Sequence, residues 1–83
     1  SPKLLADCYR NALHLADENS IDSVAFPALS TGAFGYPMEE AADIALATVV
    51  AESRELGRPR RIRFVLADQK AVDIHLHALE RHG

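Results

Sequence analysis

Ser23-Val24-Ala25-Phe26-Pro27-Ala28-Leu29-Ser30-Thr31-Gly32-Ala33-Phe34-Gly35-Tyr36-Pro37 joins a short apolar run to a turn rich in glycine and hydroxyl groups. The run from Ser23 to Leu29 lacks the apolar/polar alternation of a half-exposed strand, and so predicts a strand covered on both faces. The turn ends at a proline, and Glu39 and Glu40 follow, where carboxylates offset the positive end of a helix macrodipole. Ile44, Val49 and Val50 give this second helix a buried side, and alanines at 41, 42, 45, 47 and 51 favour helix and close packing on a sheet. Gly57 before Pro59 supplies its stop, so the helix is expected over about Met38 to Leu56.

Downstream, Arg60-Arg61-Ile62-Arg63-Phe64-Val65-Leu66-Ala67 begins polar and ends apolar. It reads as a second strand with its first half near solvent and its second half in a core. Asp68 is the expected N-cap of a last helix carrying Val72, Leu76 and Leu79 on one stripe. Upstream, Ser1-Pro2 resembles an N-cap followed by proline at the first helical position, and Leu4, Leu5, Cys8, Ala12, Leu15 and Ala16 recur at helical spacing to about Glu18. The order is α-β-α-β-α, an α/β chain in which Ser23 to Ala67 forms one βαβ crossover, expected to be right-handed with parallel strands. Two parallel strands leave unpaired edges, whereas stable sheets usually need three or more. The chain is therefore expected to be half of a larger three-layer α/β/α domain, or to be completed by a second copy of itself.

The chain has 83 residues, 48% of them apolar and 25% charged, with a net charge of -3. These values describe one globular domain at most, and one of thin stability. Without a basic excess, the electrostatic footprint of a protein that grips DNA phosphates is missing, so nucleic acid is not an expected partner. One cysteine forms no internal disulfide, and neither a spanning segment nor a signal peptide is read from the sequence. The expected setting is cytoplasmic, away from membranes.

In open α/β sheets ligands bind beyond the carboxyl ends of the strands, and the Ser30 to Pro37 turn leaves the first strand at that end and leads into a helix N-terminus. Gly32 and Gly35 permit close backbone approach, and successive N–H groups in such a turn make an anion-binding concavity. Ser30 and Thr31 add hydroxyl donors, and Phe34 offers a flat apolar face for a sugar or base. A bare tight turn would also use a glycine. The stretch is neither a P-loop, since it lacks Gly-Lys-Ser/Thr, nor a dinucleotide fingerprint, since a third glycine is absent. With no lysine in the turn, backbone N–H groups must be the donors, which suits a diphosphate held by geometry.

Ala25 to Pro37, followed by Glu40-Ala41-Ala42, closely resembles the second half of macro domains. Cys8-Tyr9-Arg10-Asn11-Ala12-Leu13 and Phe64-Val65-Leu66 fall where that family has them, so the resemblance covers essentially the whole chain, residues 1–83, as the carboxyl-terminal half of one macro domain. It implies ADP-ribose or a derivative as ligand, bound along the top of a mixed sheet flanked by helices, without a metal or other cofactor. Ser30, Thr31, Gly32, Ala33, Phe34 and Gly35 would cradle the diphosphate and distal ribose, with Ala67 and Asp68 near the adenine. Many relatives hydrolyse O-acetyl-ADP-ribose or remove mono-ADP-ribose from proteins with a bound water. The family's adenine-reading aspartate, distal-ribose asparagine and first glycine-rich loop lie in the amino-terminal half and have no counterpart here. The resemblance therefore assigns this chain no catalytic residue. The alternative implied is a non-catalytic ADP-ribose reader or an inactive truncated interaction module, and the missing amino-terminal half or a second copy is the expected protein partner.

Other readings are weaker. Ser30, Asp68 and His75 follow the order of α/β-hydrolases, but Ala28 stands where the nucleophile elbow needs glycine. His75 and His77 point to different sides of a helix and clasp no metal, and His14 and His82 are isolated in sequence. Arg58, Arg60, Arg61 and Arg63 read as a solvated strand entrance rather than an RNA patch. Cys8, on the apolar stripe, reads as a packed, inert thiol. Tyr36 either closes the rim of the cleft or packs beneath Pro37.

Overall fold

The computed structural model describes residues 2–27 and 37–83. The expected N-cap Ser1, the strand residues Ala28 and Leu29, and the turn from Ser30 to Tyr36 lie outside the described residues. Helix α1 spans Pro2–Glu18, strand β1 Ser23–Pro27, helix α2 Met38–Ser53, strand β2 Arg61–Val65 and helix α3 Gln69–His82. The α-β-α-β-α order is thus as the sequence predicts. The two strands pair in parallel, with Ser23 opposite Arg61, Phe26 opposite Phe64 and Pro27 opposite Val65.

One core lies on one face of this sheet. Val24, Phe26, Ile62 and Phe64 pack there with Leu5, Tyr9 and Leu13 of α1, Ala41, Ala42, Ala45, Leu46 and Val49 of α2, and Ala78 of α3. The alternate side chains Ser23, Ala25, Pro27, Arg61, Arg63 and Val65 are exposed. This corrects both strand readings: among the described residues β1 is covered on one face only, and β2 alternates with period two instead of grading from polar to apolar. The cause is that α1 and α3 both pack against α2 and share the core face, so alternate residues meet helices or solvent.

The stripe of α1 also shifts. Leu5, Tyr9, Leu13 and Ala16 are buried, whereas Leu4 and Leu15 are exposed and Cys8 is an exposed thiol, not a packed one. Tyr9 decides the rotation: its ring meets Phe26 edge-on at 4.9 Å and lies 6.2 Å from Phe64, a contact no aliphatic residue of the alternative stripe reproduces. Burial, with a smaller contribution from Cys8, pushes the Tyr9 hydroxyl up from 10.0 to about 12. A raised folded-state value means that this stabilisation is complete below the unfolded value near 10 and is lost as pH rises toward 12. Urea midpoints measured across that window should fall for the native chain and stay flatter for Tyr9→Phe.

The small buried residues of α2 let its neighbours approach closely, and Thr48 satisfies its hydroxyl by donating to the Ile44 carbonyl at 2.8 Å. The helix ends at Ser53, not Leu56, because Glu55 and Leu56 both donate their N–H groups to Glu52 O at 3.0 Å while Leu56 folds back onto the core. Gly57 therefore lies beyond the stop instead of making it.

In α3 the buried residues are Ala71, His75 and Ala78, and Leu76 and Leu79 of the expected stripe are exposed. The small residues Ala71 and Ala78 face α2, which packs closely against α3. At the far end of the helix the Asp43 carboxylate of α2 accepts from Arg81 Nε at 3.0 Å and pairs with His82 Nε2 at 2.7 Å. The His82 hydrogen bond, followed by that of Arg81, holds the Asp43 carboxyl below the usual carboxylate range.

Candidate functional site

Because Pro27 is level with Val65, both strands end at one edge of the sheet, and both helix-forming connections depart from it. The first runs through residues 28–37 to α2. The second is Leu66-Ala67-Asp68, leading to α3. Behind this edge the ring centroids of Phe26 and Phe64 are 5.9 Å apart, and Phe64 lies 5.4 Å from His75. A continuous aromatic row from Tyr9 to His75 thus braces the strand ends.

The two helix N-termini differ. The α3 end is closed by Asp68, extended at φ -152, whose side chain accepts the Ala71 N–H at 2.9 Å. At the α2 end the N-cap position is Pro37, with no side-chain cap hydrogen bond, and its carbonyl accepts from Ala41 at 3.0 Å. Unpaired N–H groups in the first turn of a helix attract anions and carboxylates, and Glu39 and Glu40 occupy that turn.

Of the residues predicted for the site, Asp68 lies at this edge. Ser30, Thr31, Gly32, Ala33, Phe34 and Gly35 lie outside the described residues, as does Tyr36. One Asp68 oxygen is committed to the cap, so Asp68→Ala should lower stability by about 1 kcal/mol. A urea midpoint unchanged from that of the native chain would show that the cap contributes nothing.

An apolar groove of about 150 Å³ opens beside β2, bounded by Leu46, by Phe64 and Leu66, and by Val72, Leu76 and Leu79. The side chains that sequence reasoning placed in a single hydrophobic stripe therefore line a concavity. His75 is buried at its wall, whereas His77 is exposed. His14 Nε2 approaches Glu52 Oε1 at 3.5 Å, and His82 binds Asp43, so neither is isolated in space. Among the described residues no three His, Cys, Asp or Glu side chains gather to hold a metal ion, and no helix is long and apolar enough to cross a membrane. Arg58 pairs with Asp22, and Arg60, Arg61 and Arg63 are exposed, as a solvated strand entrance requires. Sequence reasoning missed Asp43 and Tyr9. Nothing marks Asp43 in the sequence, but Tyr9 lies four residues from both Leu5 and Leu13.

A Macro domain family model matches residues 1–45. The chain is 47% identical over 75 residues to an O-acetyl-ADP-ribose deacetylase of Klebsiella pneumoniae, covering 90% of this chain and 43% of that protein. It superposes on a solved Oceanobacillus iheyensis macrodomain with ADP at TM-score 0.87 and 39% identity, covering 96% of this chain and 42% of the other. A mutant of that macrodomain with ADPR gives TM-score 0.88 at the same identity and coverage. The chain thus spans less than half the length of these relatives.

Proposed function

We propose, from the premise that this chain belongs to the macro domain family, that it supplies one wall of an ADP-ribose site as the carboxyl-terminal half of its domain. The supporting observation is that β1 and β2 end level and that α2 begins at an uncapped N-terminus, with Ser30 to Gly35 lying between β1 and α2 in the sequence. Backbone N–H groups of Ser30, Thr31, Gly32, Ala33 and Phe34 would hold the diphosphate, because phosphate oxygens match a concavity of amide donors. Phe34 would pack beside the distal ribose, Gly35 would leave room for the turn, and Asp68 would stand near the adenine.

The complete protein, by this reading, hydrolyses O-acetyl-ADP-ribose or removes mono-ADP-ribose from proteins in the cytoplasm. This chain orients the diphosphate and ribose so that a bound water meets the scissile ester. Its contribution is positioning and electrostatic stabilisation rather than a covalent intermediate. The second reading is a non-catalytic reader, which follows from the resemblance assigning this chain no catalytic residue.

Calorimetric titration of ADP-ribose, with the chain alone and joined to an amino-terminal half, tests the binding. Heat at micromolar to millimolar ligand in the joined form is expected; silence at millimolar ligand in both forms sinks the site. Release of acetate from O-acetyl-ADP-ribose by the joined form separates the enzyme from the reader.

A further inference from the structure

Helices α2 and α3 pack against each other, and their buried residues are mostly small: Ala41, Ala42 and Ala45 on α2, Ala71 and Ala78 on α3. Apolar contacts of this kind are non-directional. They hold two helices close but specify their sliding and crossing angle weakly. The directional contacts between the two helices converge on a single oxygen. Asp43 Oδ1 accepts from Arg81 Nε at 3.0 Å and lies 2.7 Å from His82 Nε2. Among the described residues these are the only hydrogen bonds that join α2 to α3.

Their placement along the helices gives them leverage. Asp43 stands in the second turn of α2, about 8 Å along the axis from Met38, whereas Arg81 and His82 stand in the last turn of α3, about 18 Å from Gln69. The start of α3 is fixed on its own account: it follows β2 by three residues, and the Asp68 side chain caps it. The start of α2 has no such anchor, since its N-cap residue is Pro37 and makes no side-chain bond. At the opposite end of α2, Glu52 holds Arg10 of α1 at 2.9 Å and lies 3.5 Å from His14. Helix α2 is therefore tied to α1 at its last turn and to α3 near its first. With α3 held at its start, the bond from its far end to Asp43 sets where the start of α2 stands.

We propose that Asp43 is a positioning residue: through Arg81 and His82 it fixes the separation of the α2 and α3 N-termini, and with it the span between the diphosphate and adenine ends of the ligand. The inference rests on the ADP-ribose reading, which puts the diphosphate before α2 and the adenine near Asp68. A ligand that bridges two half-sites gains from both only when their spacing matches its own length. A ligand that occupies one half-site is indifferent to the spacing. Asp43 touches no ligand in this account and acts through the helices alone.

The test sets Asp43→Asn against the native residue in the chain joined to an amino-terminal half. The Arg81 and Asp43 side chains are 52% and 44% exposed, so the substitution leaves the core in place. Calorimetry should show ADP-ribose bound about three- to fivefold more weakly, the upper range of an exposed ion pair. Adenosine and inorganic pyrophosphate, each followed by chemical-shift titration, should bind both proteins equally. Asp43→Glu keeps a carboxylate and should restore most of the ADP-ribose affinity. Asp7→Asn takes a comparably exposed carboxylate from Arg10 within α1 and should change nothing. Without ligand, residual dipolar couplings of the α2 and α3 amides should report a different interhelix angle in Asp43→Asn. Full ADP-ribose affinity in Asp43→Asn, equal weakening of all three ligands, or an unchanged interhelix angle would overturn the proposal and leave the ADP-ribose reading standing. A native joined domain silent to millimolar ADP-ribose would overturn both.

Discussion

Replacing Phe26 with alanine is expected to abolish the folded state of the 83-residue chain. The Phe26 ring is 7% exposed and forms the centre of the aromatic row, 4.9 Å from Tyr9 and 5.9 Å from Phe64. It is the point at which α1 meets both strands, so the neighbours that would have to collapse into the gap include Tyr9 of α1 and Phe64 of β2, two separate elements. Truncating such a residue costs about 3–5 kcal/mol, including the cavity left behind. A core this small seldom supplies more than about 3–5 kcal/mol in total. Near-ultraviolet circular dichroism should lose its aromatic signal in Phe26→Ala without denaturant. Leu15→Ala, at 59% exposure, should stay within about 0.5 kcal/mol of the native chain. A Phe26→Ala chain with a native urea midpoint would mean that the aromatic row does not hold the sheet to α1.

That sensitivity bears on how much of the fold can be read from residues in order. The element order, the parallel pair and the Asp68 cap follow from local signals: apolar runs, capping residues and a crossover of helical length. Rotation of each helix about its axis does not. The first helix carries Leu4, Cys8 and Leu15 on one flank and Leu5, Tyr9 and Leu13 on another, and periodicity alone weights the two alike. Only the partner surface decides between them, here an aromatic pair on the sheet. For α3 the partner surface is α2, distant in sequence, against which Ala71, His75 and Ala78 are buried while Leu76 and Leu79 are exposed. The single covered face of the strands was equally out of reach. The sequence of β1 reads as doubly buried, and Ala25 and Pro27 meet solvent because no described element covers their side.

The candidate site divides along the same line. Its proposed chemistry rests on the sequence alone, in which hydroxyls and glycines between a strand and a helix are the pattern expected of an anion cradle. Its support was not legible there. Neither the level strand ends nor the aromatic row behind them is written in the Ser30 to Pro37 stretch. Asp68 shows both aspects: capping potential is a local property, whereas its position beside the edge from which the turn departs depends on the register of Pro27 with Val65.

Gly32→Glu is expected to lower ADP-ribose affinity at least about 100-fold in the joined domain while leaving its urea midpoint nearly unchanged. A cradle of amide donors works only if the backbone can come close to phosphate oxygens, and glycine removes the Cβ that would intervene. On the proposed reading, glutamate adds both that bulk and a negative charge beside the diphosphate. Two like charges about 5 Å apart repel by about 3 kcal/mol at the effective dielectric of a protein surface, enough for about 100-fold in affinity. Gly32→Ala contains the steric part without the charge and should fall between the two. Salt separates the contributions further, since added ions screen the repulsion but not the bulk. Adenosine lacks the diphosphate, so its binding should be the same in the native and Gly32→Glu proteins. Equal weakening of adenosine and ADP-ribose would mean that the turn shapes the site as a whole, and that the diphosphate is held somewhere else.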